Sequence, residues 1–376
     1  MKNIVGSSQE CFKELMKEFT IYDKSVDIVS CLESFFKNSY KDELIYFDRF
    51  PSISLPSKKL RPDFTLLFDN YGLIFEVKNT FPNEDIPFKK ELKQLLTYDA
   101  NLSFKCDNKG NRKVPDVHDI VLIIDSKDSN SIFKRINHKI KNDSELKFEN
   151  HIIYLDYNYS HEEAYYSFEK YAGEGGRFRD SSLPLDKQLE KKLGEKGESI
   201  RVNPDKFLEF KSNNVICNDA PPKLYMAVIL WSKIFYYYLD AEQKSYYMRG
   251  NPKKIQPIKI KINELMNDLN NKYIYEGGVR RSWIRKTLEF LQEANLASID
   301  SNNEATIYFR NFKKSLGYKK QYNSQGAADH NEIHDIGNLI VQEYCKAITN
   351  KSRHNLGPSL PIKKSKQTSL GDISTS

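Results

Sequence analysis

Residues 61–79 read RPDFTLLFDNYGLIFEVKN, and the rest of the chain is organised around them. Two apolar runs, 63–68 and 73–78, flank Asp69-Asn70-Tyr71-Gly72. Asp, Asn and Gly favour reversals because they tolerate the backbone angles a turn needs. The stretch therefore predicts a β-hairpin with a four-residue loop, in which Phe68 pairs with Leu73, Thr65 with Glu76 and Asp63 with Lys78. Side chains alternate between faces with period two. One face then carries Phe64, Leu66, Phe68, Leu73, Phe75 and Val77, all apolar. The other carries Asp63, Thr65, Leu67, Ile74, Glu76 and Lys78. Two carboxylates and a lysine are expected to meet at the open end of the hairpin, on the side away from the apolar layer.

That trio suits one chemistry. Hard divalent cations prefer oxygen ligands, and Mg²⁺ commonly takes one or two carboxylates with water and substrate phosphate. A cation held there polarises a phosphodiester and acidifies a water, while the lysine orients that water or offsets developing charge. The Val77 carbonyl is a candidate further oxygen. Glu-x-Lys alone carries almost no information, and an ordinary surface salt-bridge cluster uses the same residue types. What singles this stretch out is Pro-Asp, a gap of twelve residues and Glu-x-Lys together, on a hairpin whose other face is uniformly apolar.

Pro62-Asp63 followed by Glu76-Val77-Lys78 resembles the signature of the PD-(D/E)XK nuclease superfamily. Downstream, Gln94-Leu95-Leu96-Thr97-Tyr98 resembles the Q-L-x-x-Y helix of its RecB-like and Holliday-resolvase-like branches. The resemblance covers roughly the first 165 residues, less than half of the 376. It implies an α/β restriction-endonuclease-like core of order αβββαβ around a mixed sheet, dependence on Mg²⁺ with Mn²⁺ as a substitute, and cleavage of the DNA backbone. Asp63 and Glu76, with the Val77 carbonyl, would hold the metal, and Lys78 would activate or orient water. Many such nucleases add a carboxylate on the helix before the first strand. Glu33 is the candidate, with Glu10 and Glu14 as rivals. Gln94 and Tyr98 lie four apart on one helical face. Gln94 would hydrogen-bond the metal ligands or the phosphate, and Tyr98 would hold the helix or touch DNA.

At this length the chain should hold at least two domains. Lys and Arg exceed Asp and Glu by 58 to 51, and the net +7 fits a polyanionic partner. Its 23 Tyr and 22 Phe mark a folding chain rather than a disordered one. Five scattered cysteines without a C-x-x-C pair argue against a zinc knuckle or a disulfide scaffold. The polar N-terminus lacks a signal-peptide core. The longest apolar region, 224–239, is interrupted by Ser232 and Lys233 and predicts a buried helix rather than a membrane span. The cytoplasm is the expected compartment.

In chain order, the spacing predicts helices over 7–19 and 25–38, a strand from Ile45, the hairpin, and a helix over 88–101. A buried strand at 119–125, a helix near 130–142 and a second strand at 152–157 suggest a crossover extending the sheet. His118, His138 and His151 are assigned no chemistry. Residues 173–177 (GEGGR) predict a linker, since no Gly-Lys-Ser/Thr follows as in a phosphate loop. A charged helix is expected over 184–198. After Pro221-Pro222 comes a strong helix over 223–243, then a short strand, two helices and a second hairpin by 309.

That order resembles an α+β winged helix-turn-helix domain over about 223–311. Its second helix would present Arg281 and Arg285, with Ser282 and Lys286 beside them, to a DNA major groove. Residues 252–320 hold 14 Lys/Arg against 7 Asp/Glu, a local excess of +7 that equals the whole chain's. Winged helices also serve as protein–protein modules, so that use stays open. His330 and His334 lie four apart with no third ligand apparent, and the tail from 357 is polar. The expected division is 1–170 nuclease domain, 171–222 linker and charged helix, 223–320 winged helix, and 321–376 helix and disordered tail.

The sequence thus predicts a Mg²⁺-dependent endonuclease acting on double-stranded DNA, in phage defence, restriction or mobile-element processing. A non-catalytic DNA-binding regulator with a relict nuclease fold and an RNA-cutting nuclease are the competing classes. A homodimer is expected only if both strands are cut, because one hairpin site cuts one strand. The chain carries no signal that decides for or against an ATPase partner.

Overall fold

In the computed structural model, the described residues are 8–355 apart from 56–58, 161, 164, 172–174, 195–198, 217–219, 250, 274–277 and 310–327. The organising element is a mixed sheet of seven strands: β1 (Tyr46–Arg49), β2 (Phe64–Leu67), β3 (Tyr71–Lys78), β4 (Val117–Asp125), β5 (Ile152–Ser160), β6 (Tyr165–Lys170) and β7 (Ile200–Val202). Their order in space is their order in the chain. β3, β4 and β5 run parallel, and every other neighbouring pair is antiparallel. Parallel neighbours need a crossover, and the two crossovers contain α2 (Asp85–Leu96) and α3 (Ser126–Asn142).

The sheet is buried on both faces. One face packs Phe64, Leu66, Phe68, Leu73, Phe75 and Val77 against Val26, Val29, Leu32 and Phe36 of α1 (Ser8–Ser39). The other packs Leu67, Ile74, Ile120, Leu122 and Ile124 against Phe88, Leu92 and Leu95 of α2 and Phe133 and Ile136 of α3. β4 contributes to both cores, which is why its sequence is a continuous apolar run. The face expected to lie away from the apolar layer is therefore a second core, and the polar trio sits at its border.

The hairpin register differs from the expectation by two residues. Leu67 pairs with Gly72 and Thr65 with Ile74, and the Phe68 N–H donates to the Tyr71 carbonyl at 2.8 Å. Only Asp69 and Asn70 form the loop. Tyr71 belongs to the strand because its ring is fully buried, stacks on Phe68 and donates its hydroxyl to Asp119 at 2.7 Å. A side chain at Gly72 would meet the Phe104 ring at 2.8 Å, so that position excludes one. A shift of two preserves the side-chain alternation, so each residue keeps its predicted face.

Four other expectations change. The charged helix expected over 184–198 begins only at Leu189, and its described part is Leu189–Gly194. The two N-terminal helices are one, Ser8–Ser39. Residues 171–222 are not a tether: they carry β7 and the helix Pro204–Asn213, whose Lys211 is buried between Asp23 and Asp27 of α1. Gly175, with φ +145°, packs against the Tyr154 ring, and the Gly176 N–H bonds the Ile152 carbonyl at 2.9 Å. The helix expected over 223–243 is broken into Lys223–Ile229, a π-turn Leu230–Ile234, a 3-10 turn Phe235–Tyr238 and Ala241–Met248.

The C-terminal part has a strand Ile258–Lys261, helices Ile262–Tyr273 and Arg281–Glu293, and a hairpin Ala297–Ile299/Glu304–Ile307. The first strand pairs antiparallel with the last. A final helix, Ala328–Asn355, packs against α1 and against Arg281–Glu293. His330 and His334 fall where side chains lie outside the described residues. No helix among the described residues is long and apolar enough to cross a membrane.

Candidate active site between the central strand and the second helix

Glu76 and Lys78 are two apart on β3, so both project to the α2 side of the sheet. Glu91, Gln94 and Tyr98 project back at them from α2 and the 3-10 turn Thr97–Asp99 that ends it. Their spacing, i, i+3, i+7, lines one helical face. Phe88, Leu92 and Leu95 anchor that helix in the core beneath.

Glu76 is 5 % exposed and both of its carboxylate oxygens are occupied. Oε1 accepts from Gln94 Nε2 at 3.0 Å and faces Lys78 Nζ at 2.9 Å. Oε2 accepts from the Tyr98 hydroxyl at 2.9 Å. Lys78 also meets Glu91 Oε2 at 2.7 Å and donates to Gln94 Oε1 at 3.4 Å. Glu91 Oε2 is buried and makes this ion pair without an aligned hydrogen bond.

Burial disfavours the charged form of Glu76 and raises its pKa, against the opposing pull of Lys78 and Tyr98. Burial alone would lower the Lys78 pKa, but Glu76 and Glu91 together outweigh it and raise it, so the ammonium persists. Tyr98 is pushed up by burial and then by the Glu76 charge, with Asp63 adding to it, and it remains a neutral donor.

Asp63 lies just outside β2, on the neighbouring strand. Its carboxylate Oδ2 accepts the Val77 N–H at 2.7 Å. Its N–H donates to the Phe75 carbonyl at 3.1 Å, and its carbonyl accepts from Phe50 N–H at 2.7 Å. Phe50 has φ +51°, a left-handed conformation that costs a bulky residue energy. The irregular backbone thus lies directly beside Asp63.

The structure brings Asp63, Glu76, Lys78, Gln94 and Tyr98 together and adds Glu91, which the sequence reading did not single out. Its available signal was the three-residue step to Gln94. Two expected residues are placed otherwise. Glu33 is on the opposite face of the sheet, 4 % exposed, bound to Arg49 at 2.9 Å and to Lys37 at 2.6 Å. Tyr98 is 1 % exposed and committed to Glu76, so it holds the network and is not a surface for DNA. Val77 supplies its N–H to Asp63 and its side chain to the first core. Glu10 and Glu14 are exposed.

Among the described residues no three His, Cys, Asp or Glu side chains are grouped to hold a metal ion. The donors present are hard oxygens, and two carboxylates suffice for Mg²⁺ when water and substrate complete its shell. Asp63 and Glu76 fit that requirement in kind, provided Lys78 leaves Glu76 and stays with Glu91.

Arg281, Ser282, Arg285 and Lys286 are all exposed along one helix, whose Ile284, Leu288 and Leu291 are buried. Arg285 makes an exposed pair with Glu289 at 3.1 Å, which contributes little. Arg280 lies over the Trp283 ring at 5.5 Å. Comparison with protein-family models, with curated proteins and with solved structures gives no match.

Proposed function

We propose that this chain is a Mg²⁺-dependent DNA endonuclease. The observation that carries this reading is the convergence of Glu76, Lys78, Gln94 and Tyr98 in one hydrogen-bonded network beside Asp63. In this proposal the helix, three antiparallel strands, helix and parallel strand form a restriction-endonuclease-like core. The strand, two helices and hairpin of 258–307 form a winged-helix reader, supported by the pairing of its first strand with its last.

Asp63 and Glu76 would hold the cation, which supplies a Lewis acid for the phosphodiester and lowers the pKa of a water. Gln94 and Tyr98 fix the orientation of the Glu76 carboxylate. The Val77 N–H fixes that of Asp63. Lys78, held by Glu91, positions the attacking water and offsets the charge that develops on the phosphate. Hydrolysis makes one phosphorus–oxygen bond and breaks another, so no redox partner is required. Arg281, Ser282, Arg285 and Lys286 would contact the duplex.

The test is incubation of purified protein with supercoiled plasmid, with Mg²⁺ or Mn²⁺ and with EDTA. Wild type should nick in a cation-dependent way, and Asp63→Ala and Glu76→Ala should not, while still binding DNA. Binding without nicking by wild type would favour a regulator that keeps the network only for its fold. Cleavage of RNA and not of DNA would move the activity to the other polymer.

A further inference from the structure

Cys11 sits in the first turn of α1 and Cys345 in the final helix, 334 residues apart in the chain, with their sulfurs 3.0 Å from each other. Both are free thiols in the structure. Cys31 and Cys106 lie in other surroundings, the first wholly buried on α1 in the first core and the second against the α2 core. A disulfide needs its sulfurs at about 2.05 Å, so this pair must close by only about one ångström. We propose that Cys11 and Cys345 are a reversible disulfide-forming pair that fastens the final helix to α1.

The two thiols are unequal. Cys345 is 3 % exposed, and burial with the neighbouring sulfur pushes its pKa up to about 12. Cys11 is half-buried and is the sulfur that an oxidant reaches. A small-molecule disulfide such as oxidised glutathione supplies the oxidising equivalents. The Cys11 thiolate attacks one of its sulfurs and expels a thiolate. That thiolate takes the Cys345 proton, and the Cys345 sulfur attacks Cys11 Sγ and expels the second. Two protein thiols become one disulfide, and the small disulfide becomes two thiols. A reducing cytosol keeps the pair open, and a shift toward oxidation closes it.

Closure acts on the rest of the molecule through the final helix. Tyr344, next to Cys345, packs its ring on Phe290 of the helix Arg281–Glu293 at 4.4 Å. Gly337, two turns earlier, lies against Phe19 of α1 and Val228. The disulfide would lock the support behind the exposed basic helix to the helix that covers the strand sheet.

The experiment uses the full chain, treated with oxidised glutathione or with a reductant, then alkylated, digested and mapped by mass. Oxidation should consume two of the five thiols and yield one cross-linked peptide pair containing Cys11 and Cys345. The thermal midpoint should rise on oxidation, and the rise should vanish in Cys11→Ser and in Cys345→Ser. If Cys345→Ser fails to fold, the half-buried Cys11→Ser still decides the matter. Five free thiols after oxidation, a link involving Cys217, or a link only between chains would overturn the proposal.

Discussion

Replacing Asp63 with Asn and Glu76 with Gln should abolish a stabilisation by divalent cations that the wild-type protein shows. The substitutions keep shape and one accepting oxygen each but remove two charges. Lys78 retains Glu91 at 2.7 Å as its counter-charge, so the variant is not left with an uncompensated ammonium. A cation that binds only the folded chain stabilises it by about 1.4 kcal/mol at ten times its Kd and about 2.7 kcal/mol at a hundred times.

The pH dependence has a definite sign. The Glu76 pKa is raised by burial above 4.5. The neutral form's contribution to stability is complete below that ordinary value and is lost as pH rises through the raised folded value. Above it the charged carboxylate is a burden in the free protein and a ligand in the bound one. Cation stabilisation should therefore grow as pH rises above 4.5 and through the raised folded value, because metal must displace the proton at low pH. The assay is thermal unfolding with Ca²⁺ or Mn²⁺, without DNA, so it is independent of turnover. Equal cation-induced shifts in wild type and the double variant, or none in wild type at millimolar cation, would refute the assignment of Asp63 and Glu76 as ligands.

Lys78→Met should lower plasmid nicking by at least about a hundredfold, the scale of a positioned proton-transfer or water-orienting group, while the cation-induced thermal shift persists or grows because the ammonium no longer competes for Glu76. Glu91→Gln removes one of the two carboxylates that hold the Lys78 pKa up, so the alkaline limb of the pH–rate profile should move to lower pH; an unmoved limb would show that Glu91 does not act through Lys78. Stability contributed by that raised lysine is present below its unfolded pKa and lost as pH rises through the folded one, so Glu91→Gln should also lose stability earlier on the alkaline side. Arg281→Ala/Arg285→Ala should weaken duplex binding and flatten the log–log salt dependence by up to about two units, at roughly 0.9 per phosphate contact, and an unchanged slope would remove this helix as the DNA contact.

The faces of the hairpin were legible in the sequence and its register was not, for one reason. Alternation fixes which side each residue occupies, but any slip by two residues satisfies the same pattern. What selects the register is the burial of Tyr71 and its bond to Asp119, a partner 48 residues away. The approach of Gln94 to Glu76 was legible because helical spacing and the Q-L-x-x-Y pattern both point to it. Glu91 was hidden among Lys89, Lys90 and Lys93, where a charged residue reads as a solvated surface. Glu33 was misplaced because a helical pattern cannot say which face of the sheet it covers; α1 covers the face opposite Glu76. The segment 171–222 looked like a linker because residues 173–177 (GEGGR) suggest freedom and β7 has only three residues. Gly175 is there because a larger residue would meet the Tyr154 ring at 2.9 Å.

The core that runs through the molecule changes how the proposed reading and cutting can be tested separately. The sequence suggested two domains joined by a linker, with tasks that mutation would separate. Yet Lys223–Ile229 is buried almost throughout, and its Tyr225 packs on Phe19 at 5.5 Å and on Tyr22 at 4.5 Å, both from α1. Phe19, Val26, Val228, Leu288 and Ile340 belong to one continuous apolar cluster. Cutting the chain before Lys223 would return that surface to water at about 25 cal/mol per Å². A truncated protein's loss of activity would then report lost folding, not lost recognition. Only exposed substitutions such as those at Arg281 and Arg285, or isosteric ones within the Glu76 network, leave the shared core intact. The same continuity joins the helix Arg281–Glu293 through the final helix to α1, which covers the back of the strands that carry Asp63 and Glu76.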